Sequence, residues 1–146
     1  MGFLVCLLLQ DVGILDEGSR KLGIGEKAAS QYERIVDPEK FKALWKELHP
    51  DGKRECPEVG FQEWMILVVG KVNSNAWYEK PSVKEAENIL RVTYTMVLNP
   101  IDGGGPQGRF QYTVLKAKRS TARVHFVEID FDGKTKKVVK ELEALK

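Results

Sequence analysis

Hydrophobic residues recur along this chain with a period that changes from segment to segment. Residues 3–15 are mostly apolar and predict one long or two short strands that end at the turn-forming residues 16–19. Small and charged residues over 18–30 predict a loop. A second strand is predicted over 31–36, directly before the clearest helix signal in the chain.

The segment 37–48 carries the signals of an amphipathic helix. Asp37 is a suitable N-cap because its carboxylate accepts a hydrogen bond from an unpaired backbone N–H, and Pro38 suits the first helical position because it has no N–H. Apolar residues then recur at helical spacing, namely Phe41, Leu44, Trp45 and Leu48. The turn-forming residues 49–52 end the helix.

Strand patterns dominate the rest of the chain. The run 64–69 is apolar throughout and predicts a central strand that is covered on both faces. Further strands are predicted over 79–83, 89–98, 110–118 and 123–130, with a turn-rich loop over 99–108. In the strand 89–98, one face is expected to hold Leu90, Val92, Tyr94, Met96 and Leu98.

Near the C-terminus the pattern returns to a helical spacing. Asp132 and Gly133 are expected to turn the chain into a C-terminal helix, whose apolar stripe is Val138, Val139, Leu142 and Leu145. The order of elements lacks the regular alternation of strands and helices that builds a parallel sheet. We therefore predict an α+β fold in which residues 1–146 form one domain with a single antiparallel or mixed β-sheet. One helix follows the second strand and the other lies at the C-terminus.

Composition indicates a globular protein and leaves its chemistry open. The chain has 146 residues, of which 42% are hydrophobic and 30% are charged, and this is enough to build a core without disulfides. The net charge is +2, but in residues 109–146 Lys and Arg outnumber Asp and Glu two to one. This basic C-terminal segment fits a Lys-rich solvated face, an acidic partner or nucleic acid.

The two cysteines and the apolar N-terminus restrict the function little. Cys6 lies in an apolar run and is expected to be a buried free thiol, whereas Cys56 stands beside Glu55, which disfavours a reactive thiolate. Residues 1–9 are interpreted either as a buried strand or as the remnant of a trimmed export signal. A helix needs about 20 residues to cross a bilayer, so no membrane span is predicted.

No pattern of residues predicts catalysis, a metal or a cofactor. The glycine spacing over 103–108 matches a phosphate-binding loop, but Arg109 and Phe110 replace its lysine and its hydroxyl residue, and a strand pattern follows. His49 at a helix C-terminus and His125 on a strand have structural explanations. We predict that the protein is not an enzyme and binds no cofactor.

Basic and aromatic residues interleave over 109–125, which is typical of a sheet face that binds nucleic acid. The candidate binding residues there are Arg109, Lys116, Lys118 and Arg123. Strict alternation puts Val114 on the same face as Lys116, which indicates that this face is partly core. A ligand or a nucleic acid bound at this surface is the alternative hypothesis, and we rank it below a protein partner.

Several segments resemble the C-terminal domain of the protease complex subunit PrcB family. They are VGILDEG (12–18), GIGE (23–26), IVDPEKFKALW (35–45), PEVGF (57–61), MILVVG (65–70) and FQYTVLK (110–116). The resemblance implies a non-enzymatic accessory subunit that stabilises a cell-surface protease. It also implies an exported or cell-envelope protein.

This resemblance leads to the preferred hypothesis, a protein-interaction module that engages a protease or a cell-envelope protein. Where that family has Thr-Gly-Gly-Tyr after its central strand, this chain has Ser-Asn-Ala-Trp-Tyr at 74–78. We expect Trp77 and Tyr78 to be exposed and to contact the partner, or a sheet edge to do so. The alternative is a hairpin whose two rings fold back over the sheet. The oligomeric state is left open.

Overall fold

Two β-sheets and one helix make up the part of the chain that the computed structural model describes, namely residues 12–22, 29–73, 76–79, 81–98 and 108–146. The elements follow in the order β1 (Gly13–Lys21), β2 (Gln31–Ile35), α1 (Pro38–Leu48), β3 (Trp64–Asn73), β4 (Ala76–Tyr78), β5 (Ser82–Ala86), β6 (Ile89–Leu98), β7 (Arg109–Lys118), β8 (Arg123–Ile129) and β9 (Lys136–Leu142).

The strands divide between two sheets of different topology. The first sheet has the strand order β1, β7, β3, β2 and is antiparallel throughout. The second has the order β4, β6, β8, β9, with β5 also paired to β6. Its strands β6 and β8 are parallel, and its other pairs are antiparallel. The predicted α+β fold with a single sheet is therefore wrong: the described residues are mostly β, with two sheets and one short helix. Strand patterns along a sequence do not state which strands pair.

Strand β3 lies at the centre of a three-layer arrangement. Its residues Met65, Leu67 and Val69 face the second sheet, while Ile66 and Val68 face the helix, and all five are buried. The core between the sheets also contains Tyr78, Val83, Leu90, Val92, Tyr94, Met96, Leu115, Ala117, Val124 and Phe126. The prediction of a central strand covered on both faces is confirmed.

The predicted helix is confirmed as α1. Asp37 caps it, because its carboxylate accepts hydrogen bonds from the backbone N–H groups of Glu39 at 3.4 Å and Lys40 at 3.3 Å. Phe41, Leu44 and Trp45 are buried against Ile35, Ile66, Val68 and Val114 of the first sheet. His49 ends the helix as its C-cap.

The predicted C-terminal helix is wrong, because the segment 136–142 is strand β9. Asp132 accepts hydrogen bonds from the backbone N–H groups of Lys134 and Thr135, and the turn it stabilises returns the chain along β8. Val139 then packs against the core between the sheets, while Val138 is exposed. The apolar spacing suits a helix or an edge strand, and pairing with β8 decides between them.

The predicted turn over 16–19 is also wrong, because β1 passes through it and pairs with β7. A bulge between Ile14 and Asp16 shifts the register there, and Asp16 is buried. The strand predicted over 79–83 lies at Ser82–Ala86.

The strands predicted over 31–36, 89–98, 110–118 and 123–130 are confirmed, and the first of them is β2. The patterns over 89–98, 110–118 and 123–130 correspond to β6, β7 and β8. Leu98 is the one residue of the predicted β6 face that is exposed. The predictions for residues 1–9, for Cys6, for most of the strand over 3–15 and for most of the loop 99–108 lie outside the described residues. Among the described helical residues, no stretch is long and apolar enough to cross a membrane.

Candidate functional site

A cleft of 510 Å³ lies between β1 and β4, with β7 at its floor. Residues 17–19 of β1 form one wall, residues 76–79 form the other, and Arg109 and Gln111 belong to the floor. Three of the six predicted site residues, Trp77, Tyr78 and Arg109, line this cleft. The fold thus brings Arg109 close to Trp77 and Tyr78, although more than 30 positions separate it from them in the sequence.

The floor of the cleft is polar because the side of the first sheet that faces the second sheet carries polar residues where β7 pairs with β1. Ser19 pairs with Gln111 across the two strands, and Glu17 pairs with Thr113. The Arg109 guanidinium donates a hydrogen bond from Nη2 to Ser19 Oγ at 3.2 Å. The cleft therefore presents charges of both signs, because the acidic residues Glu17 and Glu79 line it together with Arg109.

The two aromatic residues of β4 have opposite environments. Trp77 pairs with Val97 and is 45% exposed, whereas Tyr78 pairs with Met96 and is only 4% exposed. The Tyr78 hydroxyl donates to the Val69 carbonyl at 2.9 Å and lies 3.0 Å from Thr113 Oγ1, and burial raises the pKa of Tyr78. The expectation that both rings are exposed is wrong for Tyr78, which belongs to the core. Trp77 is the exposed aromatic residue of β4.

Gln111 connects the floor of the cleft to β4. Its amide oxygen accepts a hydrogen bond from the Tyr78 backbone N–H at 2.9 Å, and its amide nitrogen donates to the Tyr78 backbone carbonyl at 3.0 Å. The next residue, Glu79, donates its backbone N–H to Thr95 of β6 at 2.9 Å. The backbone of Glu79 therefore bonds to β6 of the second sheet, whereas the backbone of Tyr78 bonds to Gln111 in the cleft.

The basic residues predicted to form a binding face do not share one surface. Arg109 lies at the start of β7 on the same side as Gln111, whereas Lys116 lies on the opposite side, with its ammonium 4.6 Å from the centre of the Trp64 ring. Lys118 ends β7 and Arg123 begins β8 in the other sheet, and both are exposed. Only Arg109 reaches the cleft.

A second polar cluster surrounds Asp16 on the helix side of the first sheet. Its carboxylate lies 2.5 Å from His49 Nε2, and it accepts hydrogen bonds from Arg54 Nη1 at 2.8 Å and from the Tyr112 hydroxyl at 2.9 Å. The Tyr112 ring crosses Gly18, where a Cβ atom would stand 2.9 Å from that ring.

The cluster attaches the end of α1 and the loop after it to β1. Trp45 contributes by donating its indole N–H to the Arg54 carbonyl at 2.8 Å, while its ring lies 4.6 Å from the ring of His49. Asp16 lies in the segment 16–19, whose residue types predict a turn, so the sequence does not indicate a buried carboxylate there. Its partners are 33 to 96 positions away, so no local pattern could identify them.

The described side chains offer few groups that are prepared for catalysis. Burial raises the pKa of the Cys56 thiol, which disfavours the reactive thiolate. Asp16 and His49 form a pair of the kind that catalytic sites use, but the carboxylate is fully engaged by His49, Arg54 and Tyr112. Within the described ranges, no three His, Cys, Asp or Glu side chains are grouped so that they could hold a metal ion.

Raising the pH above about 10 should destabilise the protein, in part through Tyr112. An unfolded tyrosine ionises with a pKa of about 10, whereas burial and the adjacent Asp16 raise the pKa of Tyr112 to about 12. The unfolded chain therefore loses this proton first, so stability is complete below pH 10 and falls as the pH rises towards 12.

Urea denaturation at pH about 9 and about 11 measures this effect. The variant Tyr112→Phe should lose less stability between the two values than the parent protein. Burial also raises the pKa values of Tyr78 and Tyr94, but these two residues contribute equally to the pH dependence of the variant and of the parent. An equal loss in the variant and the parent would contradict the assignment to Tyr112.

Comparison of the chain with protein-family models, with curated proteins and with solved structures gives no significant match, and the resemblance to the PrcB family stays a prediction.

Proposed function

We propose that this protein is a non-catalytic protein-interaction module that binds its partner at Trp77 and the adjoining cleft. The observation that carries the proposal is an exposed tryptophan on an edge strand, beside a cleft of 510 Å³. Tryptophan is among the residues that most often dominate the binding energy of protein interfaces, because its large ring buries much apolar area with few rotatable bonds.

The folded-back alternative accounts for Tyr78 but not for Trp77. The Tyr78 hydroxyl is satisfied inside the core by Val69 and Thr113. Trp77, one residue earlier on the same strand, points to the opposite side of the second sheet, where Val97 is its cross-strand neighbour. An exposed ring at this position leaves apolar surface in contact with water, which is unfavourable. A bound partner would remove that surface from water.

The charges at the cleft favour a protein partner over nucleic acid. A nucleic-acid surface needs several basic groups that follow the phosphate backbone. Here Arg109 stands with two carboxylates, Glu17 and Glu79, and the other predicted basic residues lie elsewhere on the molecule. Mixed charge of this kind suits the polar rim of a protein interface. From the PrcB resemblance we propose a protease or another cell-envelope protein as the partner.

Replacing Trp77 by alanine should weaken partner binding about 30-fold or more, as expected for a central interface residue. The test is affinity purification after cross-linking, in which partners are identified by mass spectrometry with the parent protein and with two variants. Phe131→Ala is the matched control, because Phe131 is 50% exposed and lies in the turn between β8 and β9. A protease or cell-envelope protein should be recovered with the parent and with Phe131→Ala, and lost with Trp77→Ala.

The interpretation requires that the Trp77→Ala variant folds normally. Its free energy of unfolding should stay within about 0.5 kcal/mol of the parent value, as for most surface substitutions. The proposal is wrong if the variant retains the partner, or if binding falls only as far as stability does. Recovered nucleic acid whose binding weakens steeply with salt would support the alternative hypothesis instead.

A further inference from the structure

The edge of β4 that faces the cleft is occupied by a side chain rather than by a strand. Tyr78 exchanges two backbone hydrogen bonds with the Gln111 amide, at 2.9 Å and 3.0 Å. Two opposed residues of neighbouring antiparallel strands exchange the same pair of bonds, one N–H and one C=O from each. A side-chain amide carries a donor and an acceptor just as a peptide group does. Gln111 therefore stands where a residue of an adjacent strand would stand.

We propose that Gln111 is a placeholder for a strand of the partner protein. In the complex, an extended segment of the partner enters the cleft, pairs with β4 and takes the two backbone hydrogen bonds of Tyr78 from the Gln111 amide. This inference rests on the proposed interaction function and specifies the form of the partner, namely an extended segment that adds a strand to the second sheet.

The size and position of the cleft fit such a segment. Residues 76–79 line one wall and residues 17–19 line the other, so the 510 Å³ space follows the edge of β4. A few residues in extended conformation are enough to cover a strand as short as β4.

The register of the pairing predicts which partner side chains matter. The partner residue opposite Tyr78 points into the cleft, towards Ser19 and Glu17, and should be polar or small. The partner residue opposite Trp77 points to the other side of the sheet, with about 5 Å between the two Cβ atoms. An aromatic or β-branched residue is expected there, because such cross-strand pairs are the most stabilising.

The test uses peptides selected from a random library displayed on phage, with the full chain as the target. The selected peptides are synthesised, and their affinities are measured by fluorescence anisotropy. Gln111→Ala should bind them about tenfold more tightly than the parent protein, because the competing amide is gone and each such hydrogen bond has a modest net value. Gln62→Ala, in the exposed turn before β3, is the matched control and should leave the affinity unchanged.

A second measurement tests the backbone pairing without changing the protein. Methylation of the peptide nitrogen that faces Tyr78 removes one strand hydrogen bond and adds a clash, so affinity should fall at least tenfold. Methylation one residue along, where the N–H points away from β4, should have little effect. Equal affinity for both methylated peptides would overturn the inference.

The outcomes separate this inference from the proposed function. If Trp77→Ala abolishes binding but Gln111→Ala binds the same peptides equally or more weakly, Gln111 is a structural latch and the placeholder inference is wrong, while the interaction function stands. If the selected peptides bind Trp77→Ala as well as they bind the parent, both proposals fail. Self-association without peptide that Trp77→Ala removes would assign the site to a second copy and overturn the inference.

Discussion

Replacing Phe41 by alanine should lower the free energy of unfolding by about 4 kcal/mol, as typical for a buried phenylalanine. The Phe41 ring is almost completely buried between α1 and the first sheet. It contacts the rings of Trp45 and Phe61 edge-on, each with a centroid distance of 6.0 Å. Alanine keeps the helix, so the loss reports the packing of α1 on the sheet rather than helix formation.

Urea denaturation followed by circular dichroism measures this loss. Lys42→Ala is the matched control, since it changes the next helical position, where the side chain is 66% exposed and forms a solvent-exposed ion pair with Glu39 at 3.6 Å. The control should stay within about 0.5 kcal/mol of the parent. A Phe41→Ala variant as stable as Lys42→Ala would show that the helix does not complete the core.

Replacing Asp16 by alanine should cost about 3 kcal/mol, because it removes the buried acceptor on which three donors converge. The Asp16 side chain is 1% exposed, and its loss leaves His49 and the Tyr112 hydroxyl without their partner. Arg54 is 61% exposed, so water can satisfy its guanidinium, and the expected cost stays at the lower end for a broken buried pair.

Two further variants make this prediction specific. Asp16→Asn keeps the shape but offers one acceptor and one donor group, so the amide NH₂ must face the Arg54, His49 or Tyr112 donors, and most of the loss should remain. Asp51→Ala removes an exposed carboxylate that accepts a hydrogen bond from the Lys53 backbone N–H at 3.0 Å, and it should be nearly neutral. If Asp16→Ala were as mild as Asp51→Ala in urea denaturation, the cluster would have no structural role.

These two substitutions act on the helix side of the first sheet, and the proposed binding site lies on its other side. Tyr112 and Gln111 are neighbours on β7, yet the first bonds Asp16 and the second bonds Tyr78. Alternation along one strand thus separates a stabilising cluster from a candidate recognition site. Replacement of the exposed Trp77 should therefore change binding with little effect on stability.

Part of the candidate site could be predicted from the sequence. Trp77 and Arg109 were identified because an aromatic residue after the central strand and a basic residue at a strand start are visible locally. Gln111 and Glu17 were not, because nothing in their neighbourhood distinguishes them from other polar strand residues. Their role depends on β1, β4 and β7 meeting at one place, and these strands are distant in the chain.

The sequence by itself determined the elements whose signals are local. The Asp37 cap, Pro38 and the apolar spacing specify α1, and the continuous apolar run of β3 specifies a strand covered on both faces. Burial of those apolar side chains is favourable whichever strands pair with one another. Their pattern alone therefore predicts α1 and β3.

Only the tertiary structure decided how the strands pair, and with this the number of sheets, the conformation of β9 and the burial of Asp16. The spacing of Val138, Val139 and Leu142 is compatible with a helix. The segment is a strand because the edge of β8 offers it backbone hydrogen bonds. Asp16 is a residue type typical of turns. It lies in a strand because β1 pairs with β7, and its carboxylate is buried against His49, Arg54 and Tyr112. These partners are dozens of residues away, and their contribution to the free energy exceeds the small local preferences that a sequence pattern records.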